Sequence, residues 1–344
     1  MDRKKIRIQF ENADLLSEGI ALVADELQIE EVTCDADCVV TVCVCEQALT
    51  EVTLDGTRAT VRYGGGAARF FRGLARLIGW LGDGITHKTV TEKPLFRTNG
   101  AMVDMSRNAV MNVETVSRML RKMALMGLNT YMLYTEDTYE IEEYPYFGYM
   151  RGRYTKDELK YLDAYAAKLG IELIPCVQML GHLATHLRWS ATDAYRDTSS
   201  VLLVGEEATY RLIDRMLATI AECFTSRRLH VGMDETHDLG TGKSLDKNGY
   251  RDRRELYFAH LERIIEMSRA YGFEPMMWSD MFFRLVSGGA YVVDEITFSD
   301  EVLSLVPARD DAIRSVSALI NSQLIGPLYT LQRALRLFSA IANS

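Results

Sequence analysis

Two kinds of hydrophobic patterning divide the chain near residue 93. Before that point apolar residues mostly alternate with polar ones, the period of half-buried strands. Residues 5–10 and 39–45 read as strands in this way, and residues 51–54 and 60–63 flank Asp55-Gly56, a hairpin signal. Gly64-Gly65-Gly66 then opens residues 67–81, where Phe70, Leu74, Leu77 and Ile78 recur at helical spacing. Residues 1–93 are therefore expected to form a small α+β domain without obvious chemistry.

From about residue 95 the pattern becomes a repeat of short apolar strand, loop, amphipathic helix and glycine. Strands are predicted at 101–103, 130–134, 171–177, 229–233 and 275–278. Asn112 is placed to cap a helix with Val116, Met119, Leu120 and Met123 on its apolar face, ending at Gly127. Thr155-Lys156-Asp157-Glu158 has capping-box spacing, and its helix ends at Gly170. Further helices are expected over 208–224 and 255–270, the latter stopped by Gly272. Strands and helices in strict alternation predict a parallel sheet, in the α/β class. A (β/α)8-type TIM barrel fits better than a doubly wound sheet, because no G-x-G-x-x-G or phosphate loop follows any strand. Residues 292–298 offer a sixth strand and 310–344 read as helical. About five or six strands are thus expected, an incomplete barrel over 94–309 with a helical tail.

Composition narrows the function. The 344 residues carry a formal charge of −9, which argues against a nucleic-acid surface. No apolar run approaches a membrane span, so no membrane partner is expected. Cys34, Cys38, Cys43 and Cys45 lack paired C-x-x-C spacing and read as small hydrophobes rather than a metal knuckle. Reduced thiols without an export signal predict a cytoplasmic protein.

The predicted strand ends carry the candidate chemistry. The fourth reads Leu229-His230-Val231-Gly232-Met233-Asp234-Glu235-Thr236-His237, and period-two alternation puts His230, Gly232 and Asp234 on one face, with Glu235 at the strand end. Gly232 lacks a side chain where something approaches the backbone closely. Glu136 and Asp137 follow the second strand, Gln178 to His182 the third, and Trp278-Ser279-Asp280 the fifth. An indole facing a pyranose and carboxylates facing hydroxyls make a sugar pocket. His182 and His186 are four apart, yet Leu183 stands where a zinc-protease helix needs its glutamate. His237 and His260 are expected in supporting or surface positions, and Met119, Met123 and Met126 in the core.

These residues resemble glycoside hydrolase family 20, the β-N-acetylhexosaminidases. The family's His-x-Gly-Gly-Asp-Glu is similar to His230–Glu235, with Met233 for the second glycine. Gly181-His182 resembles its Pro-Gly-His, with Leu180 for proline, and Asp104-Met105-Ser106-Arg107 resembles its Asp-x-Ser-Arg. Residues 133–154 and 234–243 are similar to a bacterial exo-β-N-acetylglucosaminidase branch. The resemblance implies a retaining, substrate-assisted mechanism without metal or cofactor on a terminal β-linked N-acetylglucosamine or N-acetylgalactosamine of a small glycan or glycoconjugate. Asp234 would orient the acetamide and Glu235 would serve as acid and base. His182 with Glu136 or Asp137 would form a supporting relay, His230 would line the pocket and Trp278 would wall it. Asp104, Arg107 and Asp280 complete the implied set. Asn99 precedes Gly100 where the family often has arginine, with Arg97 two residues earlier, and nothing after Arg309 matches.

Two rival readings follow from the same residues. One is a truncated, non-catalytic remnant with at most sugar binding. The other is a metal-dependent hydrolase built on His182, His230, Asp234 and Glu235. An incomplete barrel would also leave strand edges and apolar helix faces uncovered, so a homodimer is an expectation.

Overall fold

A computed structural model describes residues 5–107, 109–278, 280 and 281. The first part of the chain forms, in order, β1 (Ile6–Glu11), α1 (Ser17–Leu27), β2 (Ile29–Glu31), β3 (Cys38–Val44), β4 (Leu49–Asp55), β5 (Arg58–Gly64), α2 (Ala67–Gly82) and β6 (His87–Glu92). One six-stranded sheet results, in the order β2-β1-β3-β5-β4-β6. Its first four members run parallel, and β4 is antiparallel to both β5 and β6. The predicted hairpin is β4–β5, closed where Asp55 pairs with Arg58. β2 and β6 escape a reading by periodicity because one has three residues and the other is polar and largely exposed.

The core of this sheet is aliphatic on the strands and aromatic on the helix that covers them. α2 buries Phe70, Phe71, Leu74 and Leu77 over β4 and β5, against residues such as Val52 and Val61. In β3 the alternation turns Val40 and Val42 inward together with Cys38. Cys43 is only half-buried, because it falls on the opposite face, and Cys34 is exposed. The expectation of buried thiols in this run therefore holds for Cys38 and not for its neighbours. All six cysteines are free thiols.

The remaining elements are β7 (Gly100–Asp104), α3 (Val113–Met126), β8 (Thr130–Tyr134), α4 (Lys156–Lys168), β9 (Glu172–Cys176), α5 (Ala184–Leu187), α6 (Glu207–Cys223), β10 (Arg228–His230), α7 (Lys243–Asn248), α8 (Arg253–Ala270) and β11 (Glu274–Met276). The second sheet follows chain order, β7-β8-β9-β10-β11. β7, β8 and β9 are parallel in one register, with Gly100 opposite Thr130 and Thr130 opposite Glu172.

Local signals set the helix ends. The Asn112 side chain accepts the Thr115 N–H, and α3 stops at Gly127 in the left-handed conformation. Thr155 and Glu158 complete the capping box of α4. Such caps contribute about 1 kcal/mol each. Along α3, Met123 is buried, Met119 half-buried and Met126 exposed, so the methionines are not uniformly core.

The described residues divide into two compact units, those up to 177 with 215–229 and residues 178–214 with those from 230 onward. In the first, α2 packs against α3, which joins the small sheet to the opening strands of the second sheet. Tyr134, Ile174 and Cys176 form a buried cluster there, flanked by Met102 and Met132. In the second unit, α8 buries Leu256, Tyr257, Leu261 and Ile264. The sixth strand expected at 292–298 and the helices expected over 310–344 lie outside the described residues.

Candidate active site

The fourth strand is shorter than its apolar run. β10 ends at His230, and the chain then takes left-handed conformations at Gly232 (φ +72°), Met233 (+69°) and Glu235 (+51°). Asp234 is therefore delivered by an irregular segment with left-handed residues, and the predicted strand-like alternation of His230, Gly232 and Asp234 does not extend past the first of them. Left-handed backbone costs an ordinary residue about 1–2 kcal/mol, so it persists where surrounding contacts fix it. Here the fixing contacts are identifiable. The Tyr257 hydroxyl donates to the Met233 carbonyl at 3.1 Å, the Glu235 N–H donates to Asp280 Oδ2 at 3.2 Å, and the Trp278 N–H donates to the Gly232 carbonyl at 3.3 Å.

The acid pair and one imidazole meet in this unit. His182 Nε2 is 3.1 Å from Asp234 Oδ2 and 3.7 Å from Glu235 Oε2. His182 is itself left-handed (φ +54°). The Asp234 side chain is mostly buried, whereas 56% of the Glu235 side chain is accessible. Burial alone would raise the Asp234 carboxyl. The hydrogen bond and charge of His182 and the amide of Gln178 outweigh it and hold the carboxyl below its usual range. Asp234 is thus poised as an anion beside a solvent-facing glutamate.

Gln178 is legible in the sequence only as a polar residue ending an apolar strand. It is fully buried. Its Nε2 donates to Asp234 Oδ1 at 2.9 Å, and its Oε1 accepts the Met233 N–H at 3.2 Å. A Cβ on Gly232 would lie 2.0 Å from that Oε1, so Gly232 is the close approach its sequence position suggested. His230 packs edge-on to Trp278, with ring centroids 4.7 Å apart. Tyr257 escapes the sequence reading, whereas His260, expected in a supporting or surface position, is fully buried. They lie one turn apart on α8, and His260 Nε2 donates to the Met179 carbonyl at 2.9 Å. The available signal was a pair of polar-tipped rings on an otherwise apolar helix face.

Asp104, Arg107, Glu136 and Asp137 belong to the first unit. Arg107 donates to Asp104 Oδ2 at 3.0 Å and to the Tyr134 hydroxyl at 3.2 Å, and its Nε is 3.4 Å from Glu136 Oε1. Burial works to raise Asp104, but hydrogen bonds from Ser106 and Arg107 and the Arg107 charge leave it lowered. Arg151 donates to the Ser106 carbonyl and lies 3.6 Å from Asp137 Oδ1. The ends of β7 and β8 thus carry an arginine–carboxylate cluster. His186 stacks on Tyr195 and bonds its hydroxyl at 3.0 Å. It lies in α5 and His182 precedes that helix, so the two imidazoles do not share a helical face. Among the described residues, no group of three or more His, Cys, Asp or Glu side chains is arranged to hold a metal ion.

Two buried imidazoles make the fold sensitive to acid. Burial pushes His230 down to about 4, against a smaller opposing effect of Asp234, and pushes His260 down to about 4 against its carbonyl bond. Both are neutral in the folded protein at pH values where the unfolded chain still takes up protons. Stability therefore falls as pH drops from about 6.5 toward 4, by on the order of 3 kcal/mol per histidine. Lowering of Asp234 adds a loss only below the ordinary aspartate range. Urea titrations at pH 7, 5.5 and 4.5 should show this slope, and His260→Gln should flatten it. A pH-independent midpoint across that window would contradict neutral burial of both rings.

Strands β7, β8 and β9 run parallel in chain order and alternate with helices, the arrangement of the (β/α)-barrel class. The catalytic-domain profile of glycosyl hydrolase family 20 matches residues 96–297, more than half of the chain. The chain belongs to that family. A β-hexosaminidase of Vibrio furnissii is 26% identical over 242 residues, covering 57% of this chain and 39% of that protein. Hexosaminidase D of Bos taurus is 27% identical over 170 residues, covering 45% and 48%. The chain thus spans less than half the length of these relatives. Among solved structures, the family 20 exo-β-N-acetylglucosaminidase of Vibrio harveyi superposes with a TM-score of 0.67 at 19% identity, covering 90% of this chain and 56% of the other. The β-N-acetylhexosaminidase of Streptomyces coelicolor gives 0.65 at 19%, covering 90% and 69%. The fold is the (β/α)8-type TIM barrel, of which the described residues contribute five strands.

Proposed function

We propose that the chain acts as an exo-β-N-acetylhexosaminidase that removes a terminal β-linked N-acetylglucosamine or N-acetylgalactosamine with retention. The observation that carries this reading is the asymmetry of the pair: an anionic Asp234 held by His182 and Gln178, beside an accessible Glu235.

The steps use these groups in turn. The substrate's acetamide oxygen attacks the anomeric carbon as the glycosidic C–O bond breaks, and Glu235 gives its proton to the departing oxygen. Positive charge develops on the acetamide nitrogen of the oxazolinium ring, and Asp234 accepts its N–H and offsets that charge. Glu235, now a carboxylate, takes a proton from water. The water oxygen bonds to the anomeric carbon, and the acetamide is released. Neither acid needs to be the nucleophile, which explains why they can be neighbours.

The free thiols favour a reducing, cytoplasmic location. Among the described residues no helix is long and apolar enough to cross a membrane.

The test is release of nitrophenol from the aryl N-acetyl-β-glucosaminide compared with the aryl β-glucoside, which lacks the amide. Intramolecular attack supplies a proximity effect that the glucoside cannot use. At least a 10²-fold preference for the amide substrate is expected, on the order of what positioned groups contribute. Comparable rates on the two substrates would end the substrate-assisted reading. Persistent activity after chelation would exclude the metal-dependent alternative. Absence of turnover, with binding of a thiazoline mimic of the cyclised intermediate, would favour a sugar-binding protein.

A further inference from the structure

The arrangement around Asp234 contains a group that the proposed reaction steps do not use. Gln178 is a neutral amide at the end of β9, fully buried, inserted between the segment that carries the acid pair and the acid itself. Its orientation is fixed by both ends. Nε2 faces a carboxylate oxygen at 2.9 Å and Oε1 faces the Met233 N–H at 3.2 Å; the flipped amide would set oxygen against oxygen and N–H against N–H. Asp234 is consequently held through both carboxylate oxygens, Oδ1 by Gln178 and Oδ2 by His182.

We propose that Gln178 is a positioning residue for Asp234: its side-chain amide links the Met233 N–H to the Asp234 carboxylate, setting the plane of that carboxylate and keeping it charged. This deepens the reading of Asp234 as the acetamide-orienting group and rests on it. α8 supports the same device from behind, because His260 holds the Met179 carbonyl next to Gln178 and Tyr257 holds the Met233 carbonyl next to Asp234. A neutral amide is suited to the place. An acid of the same shape would set two carboxyls in contact, and they would have to share a proton.

Gln178→Glu tests this with almost no change of shape. The titratable groups around Asp234 are His182 and Glu235 in direct reach, with His230 and Tyr257 close enough to interact electrostatically. All of them are the same in both proteins, so a difference in pH profile reports the new carboxyl. The full-length variant is expected to keep kcat/KM for the aryl N-acetyl-β-glucosaminide within about 10-fold of the parent at pH 4.5, where the introduced carboxyl is protonated and donates. By pH 7.5 it should have lost on the order of 10²-fold, the usual consequence of a misplaced reacting group. Gln178→Leu should lose a similar factor at every pH, mainly in kcat. The folded state of Gln178→Glu should also become less stable relative to the parent as pH rises above about 4.3, because the pair holds a proton that the unfolded chain releases. A uniform, pH-independent loss in Gln178→Glu would overturn the proposal and leave only a packing role. An inactive parent would refute the proposed function instead. The pH dependence of the urea midpoint would then decide the contact: a slope supports it and parallel midpoints reject it.

Discussion

Glu235→Gln is expected to lower hydrolysis of the aryl N-acetyl-β-glucosaminide by about 10²–10⁴-fold, the range that positioned general acid–base groups contribute. The two steps do not lose equally. Nitrophenol departs with modest help from an acid, so the first step suffers least on this substrate. An alkyl N-acetylglucosaminide, whose leaving oxygen must be protonated, should suffer more. The second step loses its base with either leaving group. The larger loss for the alkyl substrate is the diagnostic, because misfolding would affect both alike. The fold itself should be spared. Glu235 is more than half exposed, and its backbone bond to Asp280 does not involve the side chain. An unchanged urea midpoint with strongly reduced turnover is the expected combination. Equal rates for parent and variant would refute the assignment of the acid.

The second large effect is structural. Gly232→Ala should destabilise the protein by about 2–5 kcal/mol, combining about 1–2 for a left-handed non-glycine residue with about 1–3 for overpacking. The new Cβ would stand 2.0 Å from Gln178 Oε1 and 2.4 Å from its Cδ. The Gln178 amide cannot retreat easily, being buried and bonded at both ends. The loss is a large share of the roughly 5–15 kcal/mol that a domain possesses. Gly84 supplies an internal control. It has a similar φ of +73° but nothing within 4 Å of a built Cβ. Gly84→Ala therefore reports the cost of a positive φ without a collision, and the difference between the two variants reports the collision. If both variants unfold at the same urea concentration, the close approach of Gln178 to the segment is wrong. Activity should fall with Gly232→Ala even in the folded fraction, since displacement of Gln178 disturbs Asp234.

These two residues also mark where the sequence stops being sufficient. Strand and helix placement is legible wherever a local rule applies. The capping box at Thr155, the Asn112 cap, the Gly127 stop and the Asp55-Gly56 hairpin all occur as expected, because each depends on residues within a few positions of one another. The apolar pattern overstates the strand that carries the acid pair. Its apolar residues continue to Met233, and apolarity reports burial rather than extended backbone.

By itself, the sequence determined the α/β alternation and the family-like motif His230 to Glu235 with its adjacent acids. Only the tertiary structure decided how that pair is presented: an irregular segment with left-handed residues braced by Tyr257, Asp280 and Trp278, a charge on Asp234 fixed by His182 and Gln178, and a separate cluster of Arg107 with Asp104 and Glu136. The reason is range. Periodicity and capping are set by neighbours along the chain. The protonation and orientation of Asp234 depend on partners more than 50 residues away in sequence, which no local pattern encodes.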